Sequence, residues 1–262
     1  MEILIQQNAE AATTLAAKLV ASRLRAKPRF VLGCATGRTM EGIYSQLAQL
    51  HQTEELDFSQ CVTFNLDEYV SLAASDPRSY NAYMHEHLFE HVNINTANTH
   101  LPDGITDNLK EEALTYEACI REAGGIDLQL LGLGESGHIG FNEPLSSLMS
   151  RTRDKALTPT TRQQNAMFFG DDPDKVPARA MTMGVGTILD AREIIMVVTG
   201  SAKADMLARA TEGPITAMIS ATALQLHANC KVIVDEAAAV NLQGQDYYRW
   251  IFENEPEWQA FH

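Results

Sequence analysis

The stretch Leu130–Pro144, reading LLGLGESGHIGFNEP, constrains this chain more than any other. An apolar strand runs into Gly132, Gly134 and Gly137, then presents His138 and Glu143 on a segment closed by Pro144. Glycines at such a turn allow positive φ and close approach of a ligand to the main chain. A histidine just beyond a buried strand can exchange protons near neutral pH, and a nearby carboxylate can orient it. In an open α/β sheet the carboxyl ends of strands are where ligands bind. The spacing Gly132-x-Gly134-x-x-Gly137 also fits the dinucleotide fingerprint. That fingerprint needs a helix to open at once beneath a pyrophosphate. His138–Pro144 has no helical period and ends on a helix breaker, so nicotinamide or flavin binding is not expected.

The rest of the chain alternates strands and helices. Ala11–Arg25 reads as an amphipathic helix, Phe30–Leu32 as a strand and Met40–Leu50 as a helix. The small-residue turn between the last two holds Thr36, Gly37, Arg38 and Thr39. Strand, small-residue turn and helix together gather backbone N–H groups around an anion. The turn lacks the lysine of a nucleotide P-loop, so a sugar phosphate fits better than ATP; a plain strand–helix connection fits the segment equally well. Val62–Leu66 is a second strand, with Asp67 at its end. By position alone Asp67 reads as a helix cap or a solvated acid before it reads as a catalytic base.

Tyr80–His91 reads as one helix, in which His87-Leu-Phe-Glu-His91 matches a zinc-protease pattern. A catalytic zinc needs a third ligand, which no second helix offers. The same residues fit an amphipathic helix with Tyr80, Met84 and Leu88 inward, so no metal is expected. Asn108–Ala123 is a further helix. Ser146–Asp174, polar and rich in Thr and Arg, is long enough to be a lid, spanning about 146–180. Ile194–Val198 is a late strand. Ser201 is a candidate N-cap for the helix after it, and Lys203 sits in the first turn, where a bound anion would explain a cation. Val232–Val234 is the last strand. The pattern is a single α/β domain over 1–262, a doubly wound, mostly parallel sheet with a lid segment.

A formal net charge of −14 excludes nucleic acid and anionic membrane as natural partners. Cys34, Cys61, Cys119 and Cys230 show no C-x-x-C spacing. With no charged and apolar leader pattern and no run of spanning length, a cytoplasmic protein with free thiols is expected.

The ordered set ATGRT, FNLDEYV, SYNAYM, LLGLGESGHIGFNEP, SRTR, TMGVGTILDARE, VTGSAK and LQLH resembles the glucosamine-6-phosphate deaminase family from Phe30 to Asp235. The DEY and GHIGFNEP pieces are the most specific. Sister lactonases share the G-x-G-x-x-G-H start without the FNEP continuation. The resemblance implies a Rossmann-like α/β fold, a homo-oligomer that is usually hexameric in bacteria, and no metal or organic cofactor. It implies conversion of glucosamine 6-phosphate and water to fructose 6-phosphate and ammonia. By the same resemblance His138 opens the pyranose ring, Glu143 pairs with it, and Asp67 shuttles a proton between C2 and C1. Thr36, Gly37, Arg38, Thr39 and Lys203 match phosphate-binding positions. Ser146, Arg153 and Lys155 match contacts to an allosteric effector, N-acetylglucosamine 6-phosphate, with Ala156 replacing a Thr of that set. Two alternatives remain beside this reading: an enzyme for galactosamine 6-phosphate or a related amino-sugar phosphate, and a non-catalytic sugar-phosphate sensor. A sensor would be expected to lose Asp67, His138 or Glu143, and all three are kept.

Three positions depart from the family pattern. A lid arginine that grips phosphate falls at Met167, and Arg38, where relatives carry Gly, is placed to supply a guanidinium instead. Ser136 stands where an aspartate is frequent. A neutral hydroxyl cannot stabilise imidazolium by charge, so Ser136→Asp is expected to change the pH–rate profile; identical profiles for the two proteins would refute that expectation.

Overall fold

In the computed structural model, which describes residues 1–261, a seven-stranded parallel sheet runs β1 (Glu2–Gln6), β10 (Cys230–Asp235), β9 (Glu193–Val198), β6 (Leu128–Gly132), β2 (Val31–Cys34), β3 (Val62–Asn65) and β5 (Thr99–His100) in spatial order. Strands β9, β10 and β2 are buried at every position, which explains their unbroken apolar runs. The helices are α1 (Ala9–Ala26), α2 (Arg38–Glu54), α3 (Tyr80–His87), α4 (Leu109–Glu122), α5 (Pro159–Asn165), α6 (Val185–Leu189), α7 (Ala204–Thr211), α8 (Glu236–Ala239) and α9 (Gln245–Asn254). The chain is therefore α/β, as the alternation predicts. Strand order reverses beside β6 and β2, so their carboxyl ends frame a crevice.

A second, antiparallel sheet, β4 (Asp67–Tyr69), β8 (Arg179–Thr182) and β7 (Arg153–Ala156), stands over that crevice. The 146–180 segment is thus not structureless: it carries β7, α5 and a turn of 3-10 helix at Ala166–Phe169. Thr158 caps α5 by accepting the Thr161 N–H, and Pro159 takes the first helical position, where its missing N–H costs nothing. The small sheet has its own apolar cluster, in which Tyr69 meets Phe141 and Phe169 at ring centroid distances of 5.9 and 5.5 Å.

Two sequence expectations fail here. The Tyr80–His91 helix ends at His87 and gives way to a 3-10 turn at Phe89–His91. His87 packs on Tyr83, while His91 Nε2 meets the Glu86 carbonyl, so the two rings do not face a shared point. Ser201 is not a cap. It lies inside a 3-10 turn, Ser201–Lys203, and neither that turn nor α7 has a side-chain cap bond. No described helix is long and apolar enough to cross a membrane, and the four cysteines are free.

At the amino ends of β9 and β10 lies a buried ion network. Lys231 Nζ sits 3.1 Å from Glu193, 3.4 Å from Glu257 and 5.6 Å from the Trp258 ring centroid, while Arg23 closes on Glu193 at 2.8 Å. The Pro256–Phe261 turn is fastened to the sheet through these contacts. Removing one partner strands a buried charge. Lys231→Met is expected to lower unfolding free energy by roughly 2–4 kcal/mol in urea titrations, leaving catalysis intact because the network lies at the opposite end of the strands from the crevice.

Candidate active site

The loop after β6 is shaped by its own main chain. The Gly134 N–H donates to the His138 carbonyl at 2.9 Å and the Gly137 N–H to the Gly134 carbonyl at 3.0 Å, curling the chain back on itself. Among the three glycines only Gly137 has positive φ, at 78°; Gly132 and Gly134 do not, contrary to the sequence expectation. Gly134 is required for a different reason: a Cβ there would lie 2.2 Å from His138 Nε2, so the imidazole rests directly on the glycine backbone. Asn142, fully buried, donates to the Ile139 and Met183 carbonyls, and Ser220 donates to the Asn142 carbonyl, which locks the segment leading to Glu143.

His138 Nδ1 faces two oxygens, Ser136 Oγ at 2.8 Å and Glu143 Oε2 at 3.4 Å. That leaves the Nε2 edge for the cavity. Glu143 stands behind the ring and takes Thr158 and Thr161 hydroxyls on its other oxygen. Burial alone would raise the Glu143 carboxyl, but hydrogen bonds from His138 and Thr161, the imidazolium charge and Thr158 hold it down at about 2.

Asp67 behaves oppositely. The chain passes from β3 to β4 with only Leu66 between them, which turns Asp67 inward at the junction of the two sheets. It is neither cap nor solvated acid: its residue is 6% exposed, and its carboxylate has no hydrogen-bond partner among the described residues. Ser79 caps α3 by accepting the Ala82 N–H, and Glu68, next to Asp67, accepts the N–H groups of Tyr80 and Asn81 in the same first turn. Burial, reinforced by the Glu68 charge, pushes Asp67 up to about 8.

A cavity of about 310 Å³ joins these groups. Asp67 and His138 line it together with Thr36, Gly37, Arg38, Thr39 and Lys203. At one end, α2 begins on Gly37 with no side-chain cap, so the turn's N–H groups stay open to an anion. Lys203 lines the same cavity and makes no ion pair among the described residues; burial lowers its ammonium from the ordinary value while Glu135 opposes the shift. Two of the departures noted in the sequence are neighbours: cavity-lining Arg38 donates through Nη2 to Met167 Sδ at 3.0 Å. Arg38 therefore reaches the 146–180 segment at the very position where relatives are expected to carry arginine.

Ser146, Arg153 and Lys155 lie away from the cavity. Arg153 and Lys155 sit two residues apart on β7 and so share a face, without a carboxylate partner among the described residues. The buried Ser146 hydroxyl also has no partner among them. Arg151 is instead tied to Glu117 and Asp190. Sequence reasoning missed Tyr80, Thr161 and Gln164, all cavity-lining. The Thr158-Pro159 pair was a readable helix start that would have placed Thr161 one turn in. Among the described residues no cluster of His, Cys, Asp and Glu has the arrangement of a metal site.

Comparison with known proteins gives one answer. The family model for glucosamine-6-phosphate isomerases/6-phosphogluconolactonase matches residues 5–232. Glucosamine-6-phosphate deaminases of Hahella chejuensis and Rhodococcus opacus are 49% and 46% identical, covering 96% and 100% of this chain and 95% and 100% of theirs. A solved monomeric glucosamine-6-phosphate deaminase superposes with a TM-score of 0.90 at 42% identity, covering 92% of this chain and all of that one. A 6-phosphogluconolactonase from Trypanosoma cruzi shares the fold at a TM-score of 0.74 and 20% identity, covering 92% of this chain and 97% of its own. The chain belongs to the glucosamine-6-phosphate isomerase/6-phosphogluconolactonase family.

Proposed function

We propose that the protein converts glucosamine 6-phosphate and water to fructose 6-phosphate and ammonia. The observation that carries this reading is one cavity holding a partnerless buried aspartate, a carboxylate-backed imidazole and, at its far end, an uncapped helix start facing a free lysine. The phosphate seats on Thr36–Thr39 and Lys203, with Arg38 as a fork donor. His138, its Nδ1 proton held toward Glu143, uses Nε2 to move the anomeric hydroxyl proton to the ring oxygen, which opens the pyranose. Asp67 as carboxylate takes the C2 proton and returns it to C1, so C1 becomes the alcohol and C2 an imine. Water adds to that carbon and ammonia leaves, giving the ketone. Carbon oxidation states shift within the sugar, so the chemistry balances without an external oxidant or reductant.

The 146–180 segment acts as the lid over this site. Cytoplasmic location, a homo-oligomeric state and an N-acetylglucosamine 6-phosphate effector site at Ser146, Arg153 and Lys155 belong to the same proposal. The solved relative at 42% identity is monomeric, which makes sedimentation with and without the effector the deciding measurement. Ammonia release from glucosamine 6-phosphate, compared with its galactosamine epimer, tests the activity itself; no release from either refutes it.

Asp67 supplies a paired prediction. Its carboxyl is raised from 3.8 to about 8, so its contribution to stability is present below the lower value and lost as pH rises through the upper. Asp67→Asn is expected to cut kcat roughly a hundredfold to ten-thousandfold. It is also expected to be more stable than the wild type by roughly 2–4 kcal/mol at pH 9 and little different at pH 4. Parallel stability curves would refute the buried-acid assignment. Arg38→Ala is expected to raise KM about tenfold or more through loss of a phosphate contact while kcat changes little; an unchanged KM removes Arg38 from the site.

A further inference from the structure

Helix α5 of the 146–180 segment turns one edge onto the catalytic loop. Thr158, the N-cap of α5, and Thr161, whose N–H it accepts, both direct their hydroxyls to Glu143 Oε1, Thr158 at 3.2 Å and Thr161 more closely. Thr158 Oγ1 also lies 3.0 Å from Thr161 Oγ1. One turn further on, Gln164 Nε2 donates to Glu135 Oε2 at 2.5 Å. Glu143 Oε1 is therefore occupied entirely by this helix, and only Oε2 is left for His138 Nδ1. A carboxylate has two oxygens in one plane. Fixing the first fixes where the second points, and with it the tautomer of the imidazole behind which it stands.

We propose that Thr161, supported by Thr158, is a positioning residue that couples the seating of α5 to the His138–Glu143 pair. With α5 in place, two hydroxyls hold Glu143 ionised and aimed at Nδ1, so Nε2 is presented to the cavity as the proton acceptor. With α5 lifted, the carboxylate loses both donors and is free to rotate away from the ring. Proton transfer is thereby confined to the state in which the site is covered. Burial of Thr161, at 3% exposure, makes the hydroxyl a deliberate feature: a buried polar group must be bonded, and here its acceptor is Glu143.

This inference rests on the proposed activity for its kinetic readout but not for its spectroscopic one. Thr161→Val keeps the shape and removes the hydroxyl, and Thr161→Ala removes it in a smaller side chain should the valine fail to fold. Thr161→Ser restores it. In protein carrying carboxyl-labelled glutamate, assigned with Glu143→Gln, the Glu143 titration followed by carbon NMR is expected to rise from about 2 toward the ordinary carboxylate range in the valine or alanine variant. It should return toward the wild-type value in the serine variant. With glucosamine 6-phosphate, kcat is expected to fall roughly tenfold to a hundredfold at nearly unchanged KM, with the acidic limb of the pH profile displaced upward, and serine should recover most of it. An unmoved Glu143 titration, a change in KM alone, or failure of serine to rescue would each overturn the proposal. If the wild type releases no ammonia, the activity is refuted, while the titration still decides the role of Thr161.

Discussion

The step from β3 to β4 governs the site. A single residue, Leu66, separates a strand of the main sheet from a strand of the small one, and Asp67 pairs with Thr182 across the new ladder. The chain cannot make that change of sheet and leave Asp67 in water. Its carboxylate is held where no cation or donor among the described residues reaches it, so desolvation acts unopposed and the acid is kept protonated near neutrality. Glu68, one residue on, points the other way and spends its charge on the helix start of α3. Alternation along a strand thus assigns adjacent acids to different tasks.

Glu143 completes the contrast. It is as buried as Asp67 by residue exposure, at 5% against 6%, yet it is held at about 2 where Asp67 is raised to about 8. Partners separate them: two threonine hydroxyls and an imidazole hold Glu143 down, while Asp67 has none of these and is desolvated beside the Glu68 charge. Environments that drive two carboxyls apart are what acid–base catalysis requires. The Gly-rich loop after β6 and the small sheet supply one such environment each.

Much of this could be read in the sequence, and the failures have physical causes. The alternation of buried runs and amphipathic helices made the α/β class legible, and the Gly132–Glu143 spacing marked the centre of the site. The small sheet was not legible, because β4 is three residues long and β7 reads RDKA, with no apolar alternation to announce a strand. Read by position alone, Asp67 passed for a cap or a solvated acid for the same reason: its ladder partner is on β8, more than a hundred residues away in the chain. The expected Tyr80–His91 helix ran too far because Leu88 leaves helical geometry, with φ −137° and ψ −57°, a break no local residue announces. Thr161 escaped notice since nothing in a polar segment distinguishes a threonine aimed at the Glu143 carboxylate from one facing water.

The raised Asp67 also fits the charge of the proposed substrate. A base that must take the C2 proton lies, by covalent geometry, within a few ångströms of the C2 amine. Burial raises this carboxyl to about 8, and the neutral form that burial favours needs no counter-ion. An ammonium arriving beside it is an opposite charge in a desolvated place, where such a pair interacts most strongly, and it pulls the carboxyl back toward ionisation. The substrate would thus create the base that acts on it. A sugar phosphate lacking the amine would seat its phosphate on Lys203 and the Gly37 turn equally well and leave Asp67 protonated. On the proposed mechanism, selectivity for an amino sugar would follow from an aspartate with no partner, and would be lost if the fold supplied it with one.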